Sequence, residues 1–380
     1  MIKENRLTTF QSVLAKHADL AYIPFSADLQ YLASIPRDAP SFGAILHPGA
    51  WLEGLWLTPG RDPVLMLTRM TAEFGGTVSD EVQVTILGDF DDPSRLVKGL
   101  LDTWLLPERP RLAVSDRALA ETLVHLQRIL PGVTFISATG LLRPQRRIKD
   151  QRELIQMRKA GEITETAFKS VLSSLKHGMT ELEVVSEVDY QLRRNGAQGP
   201  SFPTSLYAVG SAHPLIFGDE VHSWPRSLNA PVSLMFDFGA IFEGLCYDYG
   251  RTVFFGEPDD QFRKVFELVM ASQQAGIKAL NAGSTTCADV DSAARGVIVE
   301  AGMGEAFRHR LGHGIGLDVH EPPFLTQGDP SLIQSGMLFT VEPSIIFPDR
   351  PSARVEDVIL ATDAGGVPLT SGFQELLVID

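Results

Sequence analysis

One segment constrains the fold more than any other: Phe236-Asp237-Phe238-Gly239-Ala240-Ile241-Phe242-Glu243-Gly244-Leu245-Cys246-Tyr247-Asp248. Its apolar flanks and Gly-containing centre read as a β-hairpin that turns near Phe242-Glu243-Gly244. In that register Asp237 and Asp248 lie opposite one another on the same face, and like charges directly opposite weaken a strand pair. Their neighbours are Phe, Leu and Tyr, so water does little to relieve the conflict. A cation between the two carboxylates would relieve it. A plainer alternative has one Asp pointing to solvent beyond the sheet, and the pair alone does not choose.

Three further strings bear on that choice. His309-Arg310-Leu311-Gly312-His313-Gly314-Ile315-Gly316 sets histidines beside glycines, where backbone can come close to a ligand. Leu338-Phe339-Thr340-Val341-Glu342-Pro343 holds Glu342 in an apolar, β-branched run, and Arg354-Val355-Glu356-Asp357-Val358-Ile359-Leu360 does the same with Glu356. A carboxylate buried in an apolar strand is costly unless a metal or a base satisfies it. Taken singly, each acid is more often a surface or salt-bridged residue. Two Asp, one His and two Glu in strand-like sequence of one region are harder to set aside.

A chain of 380 residues should hold two or three domains. Residues 1–150 carry 16 basic and 17 acidic side chains, and residues 151–380 carry 17 and 30, so nearly all of the net charge of −14 sits in the second part. Such a balance disfavours nucleic acid and anionic lipid as partners. Two cysteines exclude a disulfide scaffold. The charged N-terminus lacks a signal peptide's apolar core, and the longest uncharged run, 197–218, contains three prolines, so no membrane span is expected and a cytoplasmic location is.

Residues 1–150 read as mixed α/β, with strand-like runs at 43–46, 64–67 and 112–114 and helical patterns near 6–17, 94–104 and 117–129. The basic, proline-containing stretch 142–149 reads as a linker. Helical spacing then covers 152–175. Thr180 and Glu183 form a capping box for a second helix, and strands are expected over 202–256. Helices near 260–280 and 286–301 and strands over 311–361 repeat that order, which suggests two similar halves facing each other.

These strings resemble the pita-bread metallopeptidases, which include aminopeptidase P, prolidase and methionine aminopeptidase, and are closest to the proline-directed branch. The resemblance rests on Asp248-Tyr249-Gly250-Arg251-Thr252, on Gly312 to Leu317 followed by His320-Glu321, on Val341-Glu342-Pro343, on Arg354-Val355-Glu356-Asp357, and on Arg147-Ile148-Lys149-Asp150 at the domain start. It implies an α+β fold: a catalytic pita-bread domain over 147–380 with two-fold pseudo-symmetric halves, preceded by a smaller creatinase-like α/β domain over 1–146. It also implies two divalent metal ions (Mn, Co, Zn or Fe), one held by Asp237, the other by His313 and Glu342, with Asp248 and Glu356 shared. Water activated there would attack a peptide carbonyl, with Glu342 as general base, His309 and His320 positioning substrate, and Arg354 orienting its neighbours. The implied activity is exopeptidase cleavage of short, proline-containing peptides, and the implied assembly is a homodimer.

The pattern breaks in three places. Phe217 stands where the family carries an upstream histidine, Gly250 replaces a threonine, and a lengthened loop carries His222 and Arg226. His213 or His222 could supply the missing imidazole, or the site could work without it. Arg226 could instead capture a substrate carboxylate and give a carboxypeptidase mode. A creatinase-type hydrolase without metal, which would need the histidine that Phe217 replaces, and a non-catalytic binding protein on the same fold are the other readings.

Overall fold

The computed structural model describes residues 2–37, 48–75 and 82–379 and divides into two compact units, Met1–Arg146 and Arg147–Asp380. In the first unit a six-stranded sheet runs in the order Gln83–Leu87, Val64–Thr68, Gly54–Leu57, Leu20–Ile23, Arg111–Val114, Thr134–Ser137. Its inner strands are continuous apolar runs because both faces are covered, with Tyr22, Trp51, Trp56 and Trp104 in the core. Helices Ile2–His17, Pro93–Thr103 and Ala120–Ile129 lie where the periodicity put them. The strand expected at 43–46 lies outside the described residues.

The expected linker is a correction. Most of it belongs to a helix, Ala138–Arg146, that runs through Pro144. Leu142 and Arg146, one turn apart, both face inward. Arg146 Nη1 donates to Asp28 Oδ1 at 2.7 Å, while the hydroxyls of Thr139 and Ser115 donate to the other oxygen at 2.9 and 3.3 Å. Satisfying buried Asp28 from three sides outweighs the helix hydrogen bond that proline cannot make.

The second unit begins with helix Gln151–Ser174, capped reciprocally by Asp150 and Glu153, and helix Glu181–Arg194, capped by Thr180 and Glu183. A four-stranded sheet follows, in the order Leu377–Ile379, Tyr249–Phe255, Val232–Phe238, Ser205–Val209. Helices Asp260–Ala279 and Cys287–Glu300 then lead into a five-stranded sheet, ordered Glu321–Leu325, Gly312–Gly314, Leu338–Val341, Asp357–Thr362, Gly365–Pro368. Two helices followed by a sheet thus occur twice. Strand Leu377–Ile379, late in the chain, returns to pair in parallel with Val253–Phe255 of the first sheet. Among the described residues no helix is long and apolar enough to cross a membrane.

The hairpin turns at Glu243 and Gly244, both with positive φ (51° and 78°), as a two-residue hairpin loop requires. Phe242 pairs with Leu245, and the ladder continues to Phe238↔Tyr249 and Asp237↔Gly250. Asp248 is therefore diagonal to Asp237 rather than directly opposite, a shift set by a turn centred one residue later, between Glu243 and Gly244. Alternation sends Phe236 and Phe238 to one face, where they and Tyr249 pack around Phe168 at ring distances of 5.3 to 5.8 Å. Asp237 points the other way.

Candidate metal centre

The four- and five-stranded sheets of the second unit approach each other at a backbone bridge between Gly250 and Glu356. Gly250 N–H donates to the Glu356 carbonyl at 3.2 Å and Glu356 N–H returns the bond at 2.9 Å. A Cβ on residue 250 would lie 2.9 Å from Glu356 Cβ and 3.1 Å from Glu356 Oε2. The glycine that departs from the family pattern therefore lets the two strands close on each other here.

Around this junction Asp248, His313 and Glu356, all buried, present one ligand atom each within 4.8 Å of one another. His313 Nε2 lies 3.6 Å from Asp248 Oδ2 and 3.5 Å from Glu342 Oε1. Its Nδ1 is 3.0 Å from the Gly314 carbonyl, which can only accept, so Nδ1 carries the proton and Nε2 offers a lone pair to the cluster. Asp237 completes the group from the neighbouring strand and is held by Arg354 Nη1, whose own backbone is fixed by the Thr252 hydroxyl at 2.8 and 2.9 Å. The structure thus brings together all five carboxylate and imidazole candidates, with Arg354 beside them.

The electrostatics of this enclosure ask for a cation. Burial, with the charges of Asp248, Glu342 and Asp237, holds the Glu356 carboxyl well above its usual range. Burial pushes Asp237 up to about 7 despite Arg354, and raises Glu342 despite His313. Burial works against a charged His313, yet Asp248 and Glu342 raise its pKa overall. Asp248 Oδ1 and both carboxylate oxygens of Glu356 are buried with no hydrogen-bond partner. Unpaired buried carboxylate oxygens are costly, and divalent cations would satisfy them. Ligand atoms each about 2.0–2.2 Å from one ion lie roughly 3–4 Å apart, the spacing of His313 from its two acids. The residues fit such ions.

Several supports escaped the sequence reading. Asp357, adjacent to Glu356, faces away from the cluster and takes Arg251 Nη2 at 2.7 Å and Gln273 Nε2 at 2.9 Å. Alternation along a strand sends neighbouring acids to opposite faces, so the Glu-Asp doublet was the available signal. Thr340 receives the His313 N–H at 3.1 Å and donates to Glu342 Oε1 at 3.3 Å. Ser344, which no pattern marked, lies 2.5 Å from His309 Nε2, and His309 Nδ1 lies 2.7 Å from the Arg310 carbonyl. Both nitrogens of His309 are thus engaged, and burial pushes its pKa down to about 4. His320 is exposed, edge-on to His313 at 4.2 Å between centroids, and burial of part of its ring together with His313 lowers its pKa to about 4.

The loop candidates divide differently. Phe217 is 54% exposed and its ring lies 5.2 Å from that of Tyr207. His222 is exposed and turned to Asp219 at 2.7 Å. Arg226 is committed elsewhere: Nη2 pairs with buried Glu181 at 2.7 Å and Nη1 donates to the Pro214 carbonyl at 2.6 Å. His213 shares that Glu181 at 2.8 Å. Glu181 therefore fastens the loop's base to the N-terminus of helix Glu181–Arg194. Neither His213 nor Arg226 stands among the metal-centre residues, and no sequence signal distinguished Glu181 from an ordinary first-turn acid.

A fold of two repeated halves with a buried carboxylate–imidazole cluster at their junction defines a metal-dependent hydrolase. The chain belongs to metallopeptidase family M24, whose sequence model matches residues 155–363. It is similar to the putative dipeptidase YkvY of Bacillus subtilis, with 29% identity over 340 residues, covering 89% of this chain and 92% of that protein. It is 40% identical over 236 residues to an Xaa-Pro dipeptidase of Lactobacillus delbrueckii subsp. lactis, a match spanning 62% of each. Among solved structures it resembles a dipeptidase from Pyrococcus horikoshii OT3 (29% identity, TM-score 0.86, covering 98% of this chain and 100% of that one). It also resembles the dipeptidase PepE of Mycobacterium ulcerans (30% identity, TM-score 0.84, covering 99% and 98%).

Proposed function

We propose that the chain is a dinuclear-metal exopeptidase that hydrolyses short, proline-containing peptides in the manner of an Xaa-Pro dipeptidase. The observation that carries the reading is the set of partnerless oxygens on Asp248 and Glu356, grouped with His313 and flanked by Asp237 and Glu342. The substrate class draws on the Xaa-Pro dipeptidases of Lactobacillus delbrueckii and Pyrococcus horikoshii to which the chain is similar.

Asp237 would hold one cation, His313 and Glu342 the other, with Asp248 and Glu356 shared. Two divalent cations, when bound, supply Lewis-acid polarisation of a peptide carbonyl and an acidified water. Glu342 takes a proton from the attacking water and hands it to the departing amine nitrogen, with Thr340 steadying its carboxylate. Arg354 opposes the rise that burial imposes on the Asp237 pKa and keeps its carboxyl aimed at the cluster. His320 is the freer of the two outer histidines and is the one to meet substrate, whereas His309 acts from behind the Ser344 hydroxyl. The pairing of Arg226 with Glu181 favours this mode over a carboxypeptidase one.

The test is metal analysis of the purified chain, followed by incubation of the loaded and chelated forms with Xaa-Pro dipeptides, Xaa-Pro-Yaa tripeptides and longer peptides, with products identified by mass. Loaded protein should split Xaa-Pro dipeptides and chelated protein should not. Glu342→Gln should lower the rate by roughly 10²–10⁴. Undiminished cleavage by that variant would refute the proposed role of Glu342.

A further inference from the structure

We propose that Tyr207 and Phe217 form an aromatic wall beside the metal centre that selects an apolar residue flanking the scissile bond. The inference rests on the exopeptidase reading of the site and goes beyond it by naming a specificity element of this chain.

Register fixes the inner half of the wall. Ser205 pairs with Asp237 and Tyr207 with Met235, so Tyr207 stands on the sheet face that carries Asp237, one strand over. Its ring packs against an apolar group formed by Val209, Met235, Ile346 and Leu215. The guanidinium carbon of Arg354, the residue that binds Asp237, is 5.8 Å from the Tyr207 ring centroid. The apolar surface therefore begins one side chain away from a candidate metal ligand.

Phe217 extends that surface outward. Its ring is tilted 52° to Tyr207 at 5.2 Å, with more than half of the side chain open to solvent. The segment that presents it is tied down at several points. Gly210 and His213 exchange backbone hydrogen bonds at 2.8 and 3.0 Å, Leu215 N–H donates to the Pro348 carbonyl at 2.8 Å, and His213 and Arg226 both grip Glu181. A large apolar ring is thus held at a defined place, one aromatic ring outward from the Tyr207 that faces Arg354.

Its chemistry decides what it selects. A phenyl face has no hydrogen-bond donor to offer a peptide, but it packs well against the methylenes of a pyrrolidine ring or an aliphatic side chain. Specificity at this edge should therefore follow apolar area and be indifferent to hydrogen-bonding groups.

The experiment compares wild type with Phe217→Ala, Phe217→Leu and Phe217→Ser, using dipeptides in which each position in turn is Pro, Leu or Ser. Phe217 is exposed, so none of these changes opens a core cavity. The wall predicts that, at one of the two positions, the KM advantage of Pro and Leu over Ser shrinks by about 5-fold in the Ala and Ser variants, with kcat little changed and Leu restoring most of the preference. The same series titrated calorimetrically into metal-loaded Glu342→Gln, with and without Phe217→Ala, gives the readout in Kd. Absence of turnover in wild type would then count against the peptidase reading alone. An unchanged apolar preference at both positions, in KM or in Kd, overturns the wall.

Discussion

Arg251 offers the sharpest test of how the centre is held. Its guanidinium is 2% exposed and makes five hydrogen bonds: to Asp357 Oδ1 (2.7 Å), and to the carbonyls of Glu356 (2.7 Å), Gly250 (2.7 Å), Gly372 (2.9 Å) and Phe373 (3.0 Å). Two of those carbonyls belong to the Gly250–Glu356 bridge itself. It also lies over the Tyr249 ring at 4.1 Å. Methionine at this position keeps most of the volume but leaves Asp357, itself 2% exposed, with Gln273 as its remaining side-chain partner. Removing one member of a buried ion pair costs about 3–5 kcal/mol, because the other charge stays buried. Arg251→Met should therefore destabilise the second unit by about 4 kcal/mol in urea unfolding followed by circular dichroism. Adding Asp357→Asn should return about 1–2 kcal/mol, since a neutral amide no longer carries an unpaired charge. The Met variant should also retain less metal, because Glu356 loses the anchor on its carbonyl. A single variant within 1 kcal/mol of wild type, or a double variant less stable than the single one, would refute this account.

Three further outcomes are expected. Gly250→Thr drives a Cβ into Glu356 and should cost about 1–3 kcal/mol, with lower metal content on purification; unchanged metal content and melting temperature would show that the close approach is not required. Arg226→Ala should destabilise by about 1–3 kcal/mol, because Glu181 loses a charged partner, while KM for dipeptides stays within about twofold; a large rise in KM at unchanged stability would restore substrate capture by Arg226. The third concerns pH. In the chelated chain Asp237, Glu342 and Glu356 hold protons at pH values where the unfolded chain has lost them, so their contribution is present below the unfolded carboxylate pKa and is lost as pH rises through about 7 for Asp237. The raised His313 changes stability in the same direction. Cations replace these protons, so the urea-midpoint gap between Mn²⁺-loaded and chelated protein should widen from pH 5 to 7.5; a constant gap would contradict the carboxylate cluster as the binding site.

The candidate metal centre could be read from the sequence because its carboxylates violate their surroundings. An Asp between two Phe, or a Glu inside Phe-Thr-Val, is a local anomaly that a single chain displays. The capping box of Thr180 and Glu183 was legible because both partners sit within four residues. What escaped depends on distant partners. The hairpin loop could be located, but its register turned on where the turn is centred, and a centre one residue later moved the partner of Asp237 by two positions, from Asp248 to Gly250. Residues 142–149 look like a linker until Asp28, more than a hundred residues earlier, supplies the buried partner for Arg146. Arg226 looks like a free cation until Glu181 takes it. Side chains whose role is to satisfy a remote buried group carry no mark in their own neighbourhood.

The return of strand Leu377–Ile379 to the first sheet has a consequence for synthesis. Arg251 finds two of its carbonyl partners 121 and 122 residues further along the chain, just before that strand. A nascent chain that has emerged only through Glu356 possesses every candidate ligand, yet neither the edge strand that flanks Val253–Phe255 nor the carbonyls that complete the Arg251 shell. The order of translation thus delays the finished centre until residues 372–379 have left the ribosome, and a fragment cut before Gly372 should bind cations poorly although no ligand has been removed.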